Sequence, residues 1–290
     1  MSNISVVILT FNEEQHLPRL LNSIKGLEAN LYIIDSGSTD KTLEIAKQYN
    51  ATVLYNKFEN HPKQWHFALT NINFSTPWII GLDADHIVSE QLFTKLKKFN
   101  EQAIPSDVNG IYFNRHNYFK GKRLKYGGYK NKYLLKMFRT GKGQSDLNEN
   151  MDHRFIVEGK TIVWHDGILK EENLKENEIS FWLNKHNRYS DLVAQEEVER
   201  INKLRSQTIK PSFWGSPDQR IAWFKSIWWR LPLYWRPFFY FTYRFFFKLG
   251  FLDSKEGRLF HFLQGFWFRL IVDVKIDEIL KTKNNENPKV

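Results

Sequence analysis

At 290 residues and 42% hydrophobic content, the chain can bury a full core, and it fits one large domain, or one domain with an appendage, rather than a disordered polypeptide. It has no cysteine, which excludes disulfides and thiolate metal sites and leaves oxygen and imidazole ligands, a donor set favouring a hard cation such as Mg2+ or Mn2+. The formal charge of +10 calls for an anionic partner: nucleic acid, anionic lipid or a phosphorylated substrate.

Residues 4–9 form a short, β-branched apolar run with no basic segment ahead of it, too short for the core of a signal peptide, so the chain is expected in the cytoplasm. Leu17, Leu20, Leu21 and Ile24 then fall at helical spacing, which predicts a strand followed by a helix. The pattern recurs with "LYIID" leading into a helix over 39–49, where Ser38 or Thr39 can cap the exposed amides and Asp40 complements the helix dipole. "ATVLY" predicts a third strand, a helix is expected after Pro62, and "PWIIGL" predicts a fourth strand. Such alternation argues for a parallel sheet with helices on both faces, and in these folds ligands bind at the carboxyl ends of the strands.

Three of those ends carry polar clusters: "TFNEE" (10–14), "DSGSTD" (35–40) and "DADH" (83–86). Alone, the acids of "IIGLDADHIV" read equally as a solvated turn, but two carboxylates that close repel unless a cation or proton is shared. If the strands are parallel, the clusters converge on one ligand. Neither a dinucleotide fingerprint nor a P-loop is present in them. Asp35 is placed to accept from a ribose hydroxyl or a base N–H, and Ser36 to Ser38 form a tight turn around Gly37. A nucleotide held without a glycine-rich loop needs a metal at its diphosphate, for which Asp83 and Asp85 could supply ligands.

"VVILTFNEEQHLPRLLNSI", "IIDSGSTDKTLEIAKQY" and "WIIGLDAD", in this order and spacing, resemble the family 2 glycosyltransferases of the GT-A fold. The likeness is strong over residues 1–100 and looser to about 200, and "NYFKGKRLKYGGYKNKYLLKMFRTGKG" with "KLGFLDSKEGRLFHFLQGFWFR" is similar to bacterial enzymes that build lipopolysaccharide core and related surface glycans. The resemblance implies inverting transfer of a sugar from a nucleoside diphosphate donor, usually UDP-linked, with Mg2+ or Mn2+. By position it implies that Thr10, Asn12 and Glu13 line the base pocket, Asp35 and the neighbouring Ser36 meet uracil or ribose, and Lys63 and Gln64 lie near the diphosphate. Asp83 would meet the ribose side of the donor and share the metal site with Asp85, the ligand between the diphosphate oxygens. Relatives carry a His-Glu pair where this chain reads "LNENMDHRFIVEGK", so the catalytic base falls to Asp152, with Glu149 as the alternative. His165, in "IVWHDG", matches a downstream histidine of the family, as a metal ligand or as a structural hydrogen-bonder.

Residues 108–145 contain no acid, while ten cations, among them Arg115, Lys120, Lys130, Lys136 and Arg139, alternate with aromatics. Such a stretch can bind single-stranded nucleic acid, a phosphorylated lipid or a glycan, or form a merely solvated hairpin. A second acid-free stretch, 219–252, holds Trp223, Trp228, Trp229 and Trp235 with Arg220, Lys225, Arg230, Arg236, Arg244 and Lys248. Pro232, Pro237 and the recurring charges rule out a spanning helix. The composition fits a membrane-interfacial segment whose cations face an anionic leaflet, and a core helix or dimer interface is the other reading.

The expected organisation is an α/β GT-A domain over 1–210, with a donor half at about 1–105 and an acceptor half at about 106–210, then a helical, aromatic and basic extension over 211–280 and a disordered polar tail over 281–290. The expected function is sugar transfer to a lipid-borne glycan by a protein peripheral on the inner face of the plasma membrane. Nucleic acid ranks below donor, acceptor and membrane as a partner, and homo-oligomerisation is left open. The rival from another class is a non-catalytic module binding anionic glycolipid or nucleic acid on a GT-A-like scaffold.

Overall fold

The computed structural model describes residues 3–99, 104–148, 153–202, 204 and 208–286. The chain runs β1 (Ile4–Thr10), α1 (Leu17–Ser23), β2 (Ala29–Asp35), α2 (Thr42–Gln48), β3 (Thr52–Tyr55), α3 (His61–Asn71), β4 (Trp78–Asp83), β5 (His86–Val88) and α4 (Glu90–Lys97). There follow β6 (Val108–Phe119), β7 (Lys122–Arg123), β8 (Lys132–Arg139), β9 (Gly143–Ser145), β10 (Phe155–Val157) and β11 (Lys160–Glu171). The remainder is helical: α5 (Ile179–Ile201), α6 (Pro217–Trp228), α7 (Trp235–Thr242), α8 (Lys255–Phe262) and α9 (Phe268–Glu286).

Two compact units result, the first from the described residues of 1–118, 131–147 and 152–174, the second from those of 119–130, 148–151 and 175–290. The described residues of 175–210, expected in the catalytic domain, group with the second unit because α5 packs its Ala194 and Val198 against Phe268, Val272 and Ile276 of α9. Helix α9 continues to Glu286, into the stretch expected to be a disordered tail.

In the first unit the main sheet has the order β3-β2-β1-β4-β8-β6-β11-β5. Strands β1 to β4 are mutually parallel, as their alternation with helices predicts. Strand β1 is buried along its whole length because parallel neighbours flank it on both sides. Its side chains alternate between the two faces: Ile4, Val6 and Ile8 enter one core cluster with Leu17, Leu20 and Leu21 of α1, while Val7 and Leu9 enter another with Trp65 and Ala68 of α3. Strand β8 enters antiparallel between β4 and β6, so β6, and β11 parallel to it, run in the same direction as β4. The carboxyl ends of β1, β2, β4, β6 and β11 therefore share one edge.

Local capping differs from the sequence reading. Neither Ser38 nor Thr39 caps α2; Asp40 Oδ1 accepts from the Thr42 amide (3.0 Å), while Ser38 Oγ accepts from the Asn12 amide (2.8 Å), tying the loop after β2 to the loop after β1. The basic stretch 108–145 is not a solvated hairpin either. Its strands β6 and β8 lie inside the sheet, Lys136 is only 4% exposed, and the Arg139 guanidinium stacks 4.6 Å from the Trp78 ring while its Nε donates to the Val108 carbonyl (2.8 Å).

In the second unit, Phe119, Leu124, Tyr129, Trp182 and Leu263 make one cluster and the α5–α9 seam another. Two arginines expected to face an anionic membrane are interior. Arg236, 2% exposed, donates from Nε to Asp273 Oδ1 (2.7 Å) and pairs through Nη2 with Glu197 (2.8 Å). Arg244 donates to the Gly127 carbonyl (2.6 Å) and the Tyr240 hydroxyl (2.7 Å) and lies 4.4 Å from the Tyr129 ring. Gly127 is required where it stands: its φ is +62°, and a Cβ would come within 2.2 Å of the His261 ring. Among the described residues, no helix is long and apolar enough to cross a membrane.

Candidate active site

The register of the sheet builds the site. Thr10 pairs with Asp35, Leu9 with Asp83, and Glu171 with both Asn117 and His86. Two loops come together at the β1/β2 end. Asp35 Oδ2 accepts from Thr10 Oγ1 (2.8 Å) and Ser38 Oγ (2.5 Å), and its Oδ1 accepts from the amides of Gly37 and Ser38 (2.8 Å each). Four bonds fill the acceptor capacity of one carboxylate, so Asp35, 2% exposed, turns inward and holds the loops after β1 and β2 together. Ser36 donates its amide to the Thr10 carbonyl (3.0 Å), and its hydroxyl accepts from Gln64 Nε2 (3.1 Å), which brings buried Gln64 of α3 to the same loop. Asn12 adopts a left-handed φ of +55°, which lets its Oδ1 accept from the Thr39 amide (2.8 Å). Glu13 sets its carboxylate against His16 Nδ1 (2.5 Å), while His16 Nε2 accepts from the Leu174 amide (2.7 Å). Lys63 is exposed at the start of α3 and pairs with Glu59. Phe11 and Tyr55, at the ends of β1 and β3, present exposed aromatic faces that strand-end acid counting overlooks.

At the β4 end, Lys136 reaches from β8 to Asp83 Oδ2 (2.8 Å). Partial burial opposes ionisation of Asp83, and the Lys136 ammonium overrides it, holding the carboxyl well below the usual carboxylate range. His86 Nδ1 accepts from the Asp83 amide (3.0 Å), which assigns the ring proton to Nε2, between Asp83 Oδ2 (3.5 Å) and Glu171 Oε2 (3.4 Å). Glu171 in turn accepts from Arg115 Nη1 (2.6 Å) and Asn117 Nδ2 (2.8 Å). Burial again opposes its ionisation, and Arg115 and His86 outweigh it, leaving the carboxyl well below its ordinary value. Arg115, Asn117, Lys136 and Glu171 were not picked out as site residues; the only local signal was a lysine inside the buried run of β8.

Asp85 is half-buried on the turn between β4 and β5, and its carbonyl accepts from the Glu172 amide (3.1 Å). Among the described residues no group of three or more His, Asp or Glu could hold a metal alone. A single hard carboxylate at the edge fits Mg2+ or Mn2+ in the manner such ions favour, with substrate oxygens and water completing the shell. His165 is elsewhere on β11, at the bulge following Trp164, exposed and bonded through Nδ1 to the Tyr133 hydroxyl (2.9 Å). Asp152 and Glu149 lie outside the described residues. His153 stacks on Trp65 (5.2 Å between centroids), and burial, then Lys136, pushes its pKa well below the ordinary histidine value.

The open α/β sheet brings the polar loops after β1 and β2 and the Asp-x-Asp turn after β4 to one edge. The model of glycosyl transferase family 2 matches residues 5–155, and the chain belongs to that family, with a GT-A fold and a helical carboxyl-terminal part. It is 26% identical over 215 residues to the lipopolysaccharide core biosynthesis glycosyltransferase LpsC of Rhizobium meliloti, covering 70% of this chain and 74% of that protein. It is 34% identical over 92 residues to an uncharacterized glycosyltransferase of Rickettsia typhi, a match to 32% of this chain and 31% of that protein. The glucosyl-3-phosphoglycerate synthase of Mycobacterium tuberculosis, solved with Mn2+, UDP and glucosyl-3-phosphoglycerate, overlaps at 18% identity and a TM-score of 0.32, covering 40% of this chain and 44% of that one, too loosely to bear on function.

The depressed carboxyls set a pH dependence. Both contribute stability in full above the ordinary carboxylate pKa of about 4, and lose it as pH falls toward their lower folded values. Glu171→Gln is therefore expected to lower the unfolding free energy read from urea titration near pH 7 by about 1.5–3 kcal/mol, the range for hydrogen bonds to a charged group, and to converge with the parent in acid. An offset that stays constant from pH 7 to pH 3 would contradict the assignment.

Proposed function

We propose that the chain transfers a sugar, with inversion, from a nucleoside diphosphate donor, UDP-linked first among candidates, to a lipid-borne glycan acceptor in lipopolysaccharide or related surface-polysaccharide synthesis. The observation that carries this reading is the convergence of the Thr10–Asn12, Asp35–Ser38 and Asp83–Asp85 segments on one edge of the sheet. LpsC, named for lipopolysaccharide core biosynthesis, supports the choice of acceptor. Such an acceptor lies at the inner face of the plasma membrane, where the enzyme would act as a peripheral protein.

In this reading Thr10, Asn12 and Ser36 border the base and ribose pocket that Asp35 shapes, with Phe11 and Tyr55 as exposed rings against which a base can stack. Lys63, on the first turn of α3, answers the diphosphate charge, and Gln64 holds Ser36 in place. Asp83, fixed by Lys136, faces the ribose side and borders the metal site, and Asp85 is the residue that would hold Mg2+ or Mn2+. When bound, the cation neutralises the diphosphate oxygens as the leaving group departs. Lys136 and Arg115 add fixed positive charge along the same edge. The acceptor hydroxyl must lose a proton as it attacks, and a carboxylate takes it, Asp152 first and Glu149 second.

UDP with Mn2+ is expected to raise the melting temperature, EDTA to cancel the rise, and Asp85→Asn to lose the metal-dependent part; at a hundredfold excess over Kd, binding adds about 2.7 kcal/mol. An unchanged shift in Asp85→Asn removes the metal role. In single-turnover assays, Asp152→Asn should lower kcat by about 10²–10⁴-fold with donor affinity kept, and Glu149→Gln should be milder. The reverse ranking moves the base to Glu149.

A further inference from the structure

The second unit carries an aromatic surface that its own packing leaves uncovered. Phe238, Phe246, Phe247, Phe251 and Phe262 are each between 40% and 75% exposed. Four of them, all but Phe247, are joined by ring contacts. Phe238 meets Phe266 (4.8 Å between centroids), Phe266 meets Phe241 (6.0 Å) and Phe262 (5.6 Å), and Phe241 leads through Phe245 (5.0 Å) to Phe246 (5.3 Å) and Phe251 (6.3 Å). The half-buried Phe241, Phe245 and Phe266 thus form the floor of one continuous ring surface. The backbone widens into π-helical turns at Tyr243–Phe247 and Leu263–Trp267, and the first leaves Phe246 and Phe247 exposed while Arg244 in the same turn is buried. Such turns are uncommon and concentrate at functional sites.

We infer that this surface docks on an anionic phospholipid bilayer, with phenylalanine insertion as the main source of binding and exposed Arg220, Arg230 and Lys248 selecting the headgroup charge. Charge complementarity picks the occupant: residues 219–252 contain no acid, and these three cations are exposed. A two-fold pairing of two copies would set the same cations against one another. Rings at the level of the headgroups, flanked by Lys and Arg, are what an interfacial, non-spanning element presents. Buried Arg236 and Arg244 take no part. The inference names the surface by which the enzyme proposed above would reach a lipid-borne acceptor; it rests on that reading for its purpose, not for the binding itself.

The full chain is sedimented with sucrose-loaded vesicles of phosphatidylcholine, with or without phosphatidylglycerol. The parent should bind phosphatidylglycerol vesicles, bind neutral vesicles weakly, and be only partly released by high salt, since screening acts on the charges and not on the rings. Phe238→Ser/Phe246→Ser/Phe247→Ser should lose about tenfold or more in partitioning to both vesicles, because apolar area is removed from the interface. Arg230→Glu/Lys248→Glu should lose only the preference for phosphatidylglycerol. Quenching of parent tryptophan fluorescence by brominated lipid supplies a readout that needs no variant, with Trp235 exposed beside the patch. The inference is overturned if the parent binds neither vesicle, if the serine variant binds like the parent, or if light scattering finds a lipid-free dimer that the serine variant converts to monomer. The UDP thermal shift, measured on the same variants, should be unchanged, so loss of docking and loss of the donor site are read separately.

Discussion

The site depends on the register in which β1 lies between β2 and β4. With Thr10 opposite Asp35 and Leu9 opposite Asp83, three strands end together, and a slip of one residue would turn every apolar side chain of β1 to the wrong face. The two core clusters prevent the slip, since Ile4, Val6 and Ile8 are claimed by one face and Val7 and Leu9 by the other. Hydrophobic burial therefore fixes where the polar residues go. The loops beyond the strand ends are then tied by short bonds from Asp35 and Ser38, without a glycine-rich phosphate loop.

Charge at this edge is organised by pairing. Asp83 and Glu171 share His86 between them and each has a cation of its own, Lys136 and Arg115, so both stay ionised despite burial. Removing one partner from such a group leaves the other charge poorly solvated, which makes the arrangement specific in geometry more than it makes the protein stable. The acids of the Asp-x-Asp turn are accordingly unequal. Asp83 is held by a lysine from a strand that runs the opposite way, while Asp85 lies on the turn between β4 and β5.

Much of the first unit was legible because its signals are local. The four parallel strands are continuous apolar runs, the helices between them have helical spacing, and the polar strand ends follow from chain direction alone. What was not legible comes from partners distant in the chain. Lys136 reads as one more cation in a basic stretch until β8 is known to pair with β4, and Arg236 reads as a membrane-facing charge until Asp273 and Glu197 meet it. Asp35 was visible as a site residue, but its inward turn depends on Thr10 and on two amides of its own loop. Ser38 or Thr39 was expected to cap α2, and Ser38 instead accepts from the Asn12 amide. In each case a tertiary hydrogen bond outweighed the local preference, and local pattern carries no trace of it.

The central claim is that this edge performs chemistry on a sugar nucleotide and does not merely hold an anion. The most direct measurement is release of labelled sugar from a panel of nucleoside diphosphate sugars, with the purified chain, with and without Mn2+. At least one donor is expected to be hydrolysed, and hydrolysis is expected to stop when the cation is chelated. Donors that bind tightly, yet are never cleaved with the cation and a glycolipid acceptor present, would contradict it and leave a binding module on a transferase scaffold.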